Sequence, residues 1–212
     1  FNGDVSAWDS SRVTTIRHMF YGAIAFNQPL AWDTSKVATI EDTFGDTQAF
    51  NHALDWDTSS VTSMYQTFQV AIAFNQQLAW DTSKVTSMWS TFYGADAFDR
   101  PLAWDTSKLT NMDSTFTEAS SFDQPLDWDT SSVTTMYSTF RGAIAFNQPL
   151  SWDPSRVENL GEALSGAEAF NQPLAISRWD VSKASLMESL FANTAFASDD
   201  CSKQELREAW KD

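Results

Sequence analysis

Residues 74–97 read FNQQLAWDTSKVTSMWSTFYGADA, and near copies of this stretch fill most of the 212-residue chain. Internal repetition is examined first, because a missed repeat misassigns the whole fold. Tryptophan followed by aspartate recurs every 24 residues, and the last pair is displaced by three. The tryptophans of this series are Trp8, Trp32, Trp56, Trp80, Trp104, Trp128, Trp152 and Trp179. The chain is therefore built from about eight units of 24 residues.

Each unit divides into two patterns of apolar residues. Leu78 and Trp80 alternate with polar residues, which predicts a short extended strand with both side chains on one face. Val85, Met88 and Phe92 follow at i, i+3 and i+7, a spacing that predicts about two turns of helix. Aspartate, threonine and serine before this segment and a glycine after it suit the two ends of a helix. We therefore expect one short strand and one short helix per unit.

A single unit cannot fold alone, because burying its six large apolar side chains at roughly 2 kcal/mol each does not offset the ordering of 24 backbones. Stacking of neighbours closes this gap, so we expect one continuous repeat domain over residues 1–197. The period stops after Phe196, and Ser202 followed by Glu205 forms a capping box that begins a helix. We expect residues 198–212 to form a C-terminal capping helix over the last layer.

The bulk composition narrows the classes of function. The chain has 28 acidic and 13 basic residues, a net charge of −15, and one cysteine, Cys201. An acidic surface disfavours nucleic acid and anionic membranes. No apolar run approaches the roughly 18 residues of a membrane span. Since Phe1 already lies inside a repeat, we expect an upstream portion to be missing, with an uncapped first unit open to end-to-end contact.

The aspartates that follow the tryptophans are the first candidate site. Stacking would place like charges about 5 Å apart, so each carboxylate needs a compensating partner. We expect each to accept backbone N–H bonds from its own helix or turn, as a structural capping ladder. A row of calcium sites is the alternative, which the few constant carboxylates per unit disfavour. The ladder consists of Asp33, Asp57, Asp81, Asp105, Asp129 and Asp153.

The positions that differ between units are the candidates for recognition. The residue after the helical methionine or its equivalent is Arg17, Glu41, Tyr65, Trp89, Asp113, Tyr137 and Gly161 in successive units. Aromatic residues stand there where the helical pattern predicts solvent, and tyrosine and tryptophan are favoured anchors of protein interfaces. The predicted partner-binding residues are Tyr65, Trp89 and Tyr137, with Tyr93 and Tyr21 nearby. Partial packing against neighbouring loops is the alternative.

Residues 85–107, VTSMWSTFYGADAFDRPLAWDTS, resemble the BspA-like surface-protein repeats, an atypical branch of the leucine-rich repeats. The resemblance covers residues 1 to about 196. It implies an α/β solenoid that is leucine-rich-repeat-like, with a parallel strand and a helix in each unit. It also implies a cell-surface or secreted protein that binds other proteins or mediates adhesion, with no active site. Trp-Asp at the strand departs from the ordinary leucine pattern.

We expect a non-catalytic protein-binding or adhesion scaffold, because the sequence contains no nucleophile motif, phosphate loop or zinc-ligand spacing. We expect no cofactor, no metal and no insertion into a membrane. A structural linker inside a larger assembly is the alternative, which would allow an organelle lumen or an assembly-bound location. Carbohydrate binding would need exposed tryptophans, whereas we expect the tryptophan ladder in the core. Ice binding would need threonine columns on a flat strand face, whereas we expect the two columns to lie on the predicted helix. The columns are Thr62, Thr86, Thr110 and Thr134, and Thr43, Thr67, Thr91, Thr115 and Thr139.

Overall fold

The computed structural model describes residues 1–209, apart from the side chains of residues 174, 202, 205 and 207–209. Within these residues, successive 24-residue units stack on one another and are joined by isolated parallel bridges. Each bridge links equivalent positions of two neighbours. The bridged pairs are Thr15–Thr39, Ser63–Ser87, Ser87–Asn111, Asn111–Thr135, Thr135–Asn159 and Asn159–Leu186.

The predicted α/β, leucine-rich-repeat-like solenoid with a strand and a helix in every unit is wrong. Across residues 1–209 the bridges stay one residue long, and three helices occur, all near the C-terminus. They are α1 (Pro173–Ile176), α2 (Ala195–Ser198) and α3 (Asp200–Ala209). The repeats consist instead of turns and extended segments with little regular secondary structure.

Turns replace the predicted helix because the backbone N–H groups are divided between two partners. The N–H groups of Met88, Ser90, Phe92 and Gly94 donate to carbonyls 23 residues ahead, in the next unit, at 2.8–3.0 Å. The intervening residues Thr91, Tyr93 and Ala95 donate three residues back within their own unit. Alternate N–H groups thus point out of the segment, and no run of i to i−4 bonds forms.

The backbone conformation reinforces this division. Ser90 has φ +54° and Gly94 has φ +61°, and both lie in the left-handed region that interrupts a right-handed helix. The same two positions recur in each unit, for example as Gln66 and Val70. Serine and threonine in the segment lower helix propensity further. The apolar residues keep the spacing seen in the sequence, but they lie on a series of turns rather than on a helix.

The inner side of the stack is a continuous apolar core. Phe92 is fully buried, and its ring centroid lies 5.5 Å from that of Phe68, 4.2 Å from Phe98 and 5.6 Å from Phe116. Each phenylalanine therefore stacks on its equivalents above and below as well as on its own unit. The two fully buried columns contain Phe44, Phe68, Phe92, Phe116 and Phe140, and Phe26, Phe50, Phe74, Phe98, Phe122, Phe146 and Phe170.

The tryptophan ladder lies in the core, as the sequence predicts. Trp104 is 6% exposed, and its indole N–H donates to the carbonyl of Leu78 in the preceding unit at 3.2 Å. The same bond recurs at every tryptophan of the series from Trp32 to Trp179. Trp8, in the first unit, is 56% exposed. The ladder thus combines apolar burial with a hydrogen bond between units.

A polar ladder runs along the loops. The side-chain oxygen of Asn75 accepts the backbone N–H of Asp99, and Asp99 accepts that of Asp123, each at 3.1 Å. Asn27, Asn51, Asp123 and Asn147 make the equivalent bond to the following unit. The asparagines and their aspartate replacements therefore bond the loop backbones of neighbouring units.

At the C-terminal end, α3 packs near α1 and α2, and Leu206 lies against the apolar core. The helix begins at Asp200, two residues before the predicted capping serine. Residues 210–212, the end of the predicted capping segment 198–212, lie outside the described residues. The division of the chain at residue 197 stays a prediction.

Candidate functional site

The variable positions that follow the methionine column lie on the outer side of the turn segment. Trp89 is 46% exposed, and its ring meets that of Tyr65 nearly edge to face, with centroids 5.1 Å apart. The backbone explains the orientation, because Met88 turns into the core while its neighbour Trp89 turns out. Tyr65 is half-buried under this contact. The two aromatic residues therefore form one surface that spans two units.

Asp113 and Tyr137 continue this outer column in the next two units. The Oδ1 atom of Asp113 accepts the backbone N–H of Tyr137 at 2.8 Å and the hydroxyl of Thr135. Burial raises the pKa of the Asp113 carboxyl, although these two hydrogen bonds act in the opposite direction. Tyr137 is 37% exposed. We call the set Tyr65, Trp89, Asp113 and Tyr137 the aromatic strip.

The two remaining predicted tyrosines lie apart from this strip or at its edge. Tyr93 is half-buried, and its pKa is raised by burial and by the nearby Glu118, which also accepts its hydrogen bond. Tyr21 is exposed and belongs to the first unit, where its ring meets His18 edge-on with centroids 6.1 Å apart. Two intervening units separate Tyr21 from Tyr93 in the same column. The structure therefore does not bring Tyr21 together with Trp89.

The first two units carry ionic pairs where the strip carries aromatic residues. Arg17 lies 3.4 Å from Glu41, and His18 Nδ1 lies 2.9 Å from Asp42 Oδ2. Asp42 Oδ1 is buried and has no hydrogen-bond partner among the described residues. Burial raises the pKa of this carboxyl against the opposing effect of His18. The outer column thus changes from charged to aromatic along the stack.

Each aspartate of the predicted capping ladder accepts a backbone N–H bond in its own turn, which is one of the two arrangements, helix or turn, that the sequence predicts. Asp81 Oδ1 accepts the backbone N–H of Ser83 at 3.0 Å, and the other members bond the serine two residues on. Bonds from the hydroxyl and backbone N–H of that serine lower the pKa of the carboxyls at Asp33, Asp57, Asp81 and Asp129. At Asp105 the backbone bond from Ser107 contributes most to the lowered pKa. The hydroxyl and backbone N–H of the serine thus compensate the repeated charge, and a nearby lysine adds to this at Asp33, Asp81 and Asp105.

Within the described residues, the side chains that bind metal ions are not grouped together. Among the residues that the structure describes, no group of three or more histidine, cysteine, aspartate or glutamate side chains could hold a metal ion. In the same part of the chain no helix has the length and apolar character needed to cross a membrane. An apolar cavity of about 500 Å³ lies beside α3, lined by Met187, Phe191 and Leu206.

The two threonine columns lie in different environments. Thr43, Thr67, Thr91, Thr115 and Thr139 are buried, and their hydroxyls donate to main-chain carbonyls. Thr62, Thr86, Thr110 and Thr134 are exposed beside the bridges rather than on a helix. Burial of the tryptophans from Trp32 to Trp179 removes the exposed platform that carbohydrate binding would need from that ladder.

Asp113 is the residue of the strip that sequence reasoning missed as a binding candidate. Its signal was its place in the same 24-residue column as Trp89 and Tyr137. The sequence could not show that hydrogen bonds hold its carboxylate between Trp89 and Tyr137. That arrangement depends on hydrogen bonds from the following unit.

Comparison with known proteins identifies one family. The model of a family described as Mycoplasma protein of unknown function, DUF285, matches residues 1–103, 52–127 and 102–204. The overlapping matches agree with a repeated sequence, and they do not single out the BspA-like repeats. No curated protein and no solved structure shows significant similarity to the chain.

Proposed function

The chain belongs to the DUF285 family of Mycoplasma proteins of unknown function, and from this premise we propose that it is a non-catalytic scaffold that binds a protein partner through the aromatic strip. The observation that carries the proposal is the contrast between two adjacent columns, that of Met88 and that of Trp89. Met88 is buried, as Met64 and Met112 are, whereas the adjacent Trp89 is exposed at a position where the residue type varies between units. Constant positions build the stack, so variable exposed ones are free for recognition.

The chemistry of the strip supports binding of a protein. Tryptophan and tyrosine bury large areas with few rotatable bonds, and they are enriched among the residues that dominate interface energetics. Trp89 is pre-positioned by Tyr65, so little ordering is needed on association.

The resemblance to BspA-like repeats favours a cell-surface or secreted protein with an adhesive role, and we propose this location. The acidic balance of −15 favours a partner with basic groups and disfavours nucleic acid. We propose no catalytic role, because recognition needs only the variable outer column.

Cross-linking mass spectrometry on intact cells tests the proposal. We expect reproducible cross-links from residues beside the strip to one other protein. The double variant Trp89→Ala and Tyr137→Ala should lose these links, because it removes the two exposed rings. Ile144→Ala is the matched control, since Ile144 is an apolar side chain 47% exposed in a different column.

The results separate recognition from a purely structural role. Links that survive the double variant, or that occur only at the two ends of the stack, contradict binding through the strip and favour a linker inside an assembly. Equal loss in the Ile144→Ala control contradicts a specific role for the aromatic residues. Circular dichroism and thermal unfolding of each variant confirm that the stack is intact.

A further inference from the structure

Between Trp89 and Tyr137 the aromatic strip has a gap, because the intervening unit carries the shorter Asp113. Two steps of about 4.8 Å place the backbones of Trp89 and Tyr137 about 10 Å apart. Asp113 is half-buried between them. A group midway between Trp89 and Tyr137 would lie about 5 Å from each of these residues. A cation is attracted to an aromatic ring within roughly 6 Å.

The carboxylate of Asp113 is oriented by two hydrogen bonds from the protein, and one of its oxygens is left for a further donor. Both hydrogen bonds that it accepts, from Thr135 and from the Tyr137 backbone, go to Oδ1. Among the side chains that the structure describes, none donates a hydrogen bond to Oδ2, and no lysine, arginine or histidine nitrogen lies within 4 Å of this carboxylate. Other carboxylates near the outer columns do have such partners, as Glu41 has Arg17 and Glu162 has Arg141. Asp113 is thus held in place without a cation of its own.

A fixed carboxylate flanked by aromatic rings is complementary to a planar cation. A guanidinium stacks on aromatic faces and donates to a carboxylate at the same time, which an ammonium does less well. The net charge of −15 raises the local concentration of basic segments near the molecule. Neutral polar or acidic side chains would gain little from the carboxylate in this gap.

We propose that the gap formed by Trp89, Asp113 and Tyr137 is a pocket for an arginine side chain of the partner protein. This deepens the proposed function and rests on it, since it names the chemistry by which the strip selects its partner. The guanidinium lies between the side chains of Trp89 and Tyr137 and donates to Asp113 Oδ2. Tyr65 supports Trp89 from the far side of the gap.

Fluorine NMR on protein labelled with 5-fluorotryptophan tests this pocket directly. The Trp89→Phe variant assigns the resonance of Trp89 among the ten tryptophans. The probe is the blocked peptide Gly-Ser-Arg-Ser-Gly, compared with the same peptide carrying citrulline, the neutral analogue of arginine. We expect the arginine peptide to shift the Trp89 resonance with a dissociation constant of about 1–10 mM, and at least about 5-fold tighter than the citrulline peptide.

Two charge-matched variants separate the pocket from the acidic surface as a whole. Asp113→Asn keeps an oxygen for Thr135 and the Tyr137 backbone but removes the charge, and it should weaken the arginine peptide about 5- to 10-fold. Asp129→Asn removes one charge from the exposed turn column and should change binding less than about 2-fold. An equal effect of both variants overturns the proposal.

The remaining outcomes distinguish this inference from the proposed function. No shift of the Trp89 resonance, or equal binding of the citrulline peptide, overturns arginine recognition. If the cellular cross-links still depend on Trp89 and Tyr137 while Asp113→Asn leaves them unchanged, the strip binds its partner without this pocket. If the cross-links are independent of Trp89 and Tyr137, the proposed function itself fails.

Discussion

The inner and outer sides of the turn segment lie one residue apart, yet residue types vary between units far more on the outer side than on the inner side. On the inner side Met88 and Phe92 are fully buried, and the Phe92 ring stacks on the equivalent rings of the units before and after it. On the outer side the column changes from arginine and glutamate to tyrosine, tryptophan and aspartate. The difference teaches that stacking constrains a residue only where its side chain meets its own copies.

The largest expected effect comes from breaking the inner side. Phe92→Ala removes a fully buried ring that stacks on four others, so it should lower the free energy of unfolding by about 3–5 kcal/mol. Trp89→Ala, three residues away, should change it by less than about 0.5–1 kcal/mol. Urea denaturation followed by circular dichroism measures both. Similar losses in the two variants would contradict the division into two sides.

The tryptophan ladder offers a second comparison, between equivalent residues at different depths. Trp104→Phe leaves the carbonyl of Leu78 without its indole donor and reduces packing, so we expect a loss of about 2 kcal/mol. Trp8→Phe is the matched control, because Trp8 is largely exposed and should tolerate the change within about 0.5 kcal/mol. The same urea titration serves, and an equal response of both sites would rule out a contribution from burial.

Backbone strain provides a third comparison, between two neighbouring left-handed positions. Val70 has φ +54° and is β-branched, whereas the equivalent residue in the next unit is Gly94 at φ +61°. Val70→Gly should raise the midpoint of thermal unfolding by relieving about 1 kcal/mol of strain, and Gly94→Ala should lower it by a similar amount. Scanning calorimetry measures both shifts. A fall for Val70→Gly would mean that its packing outweighs the strain.

The smallest effect is the dependence of stability on pH, where two groups of aspartates act with opposite sign. The exposed turn aspartates, such as Asp81, have lowered pKa values, so their contribution is present above the unfolded value near 3.9 and is lost as pH falls through the folded one. Asp113 has a raised pKa, so its protonation favours the folded state and its ionisation opposes it. Urea midpoints between about pH 2 and 7 measure this. We expect Asp81→Asn to weaken the acid loss and Asp113→Asn to raise stability toward neutral pH, and effects of the same sign would contradict the assignment.

The sequence by itself determined the period, the number of units and the composition of the core. The 24-residue spacing of Trp80 and Phe92 identified them as buried, because a residue that repeats in register stacks on its own copies. The loop ladder through Asn75 could be predicted for the same reason. The outer column could be located, since its positions vary where the core does not.

The tertiary structure decided the backbone conformation and the chemistry of the strip. The spacing of Val85, Met88 and Phe92 fits a helix and a series of turns equally well, and the sequence of one unit favours neither decisively. Turns form because carbonyls of the next unit, 23 residues ahead, accept every second N–H and leave no partner for a helical ladder. The environment of Asp113 likewise depends on Thr135 and Tyr137 in that next unit. Periodicity within a unit reports which side chains are buried, whereas the partners of the backbone are set by the neighbouring units.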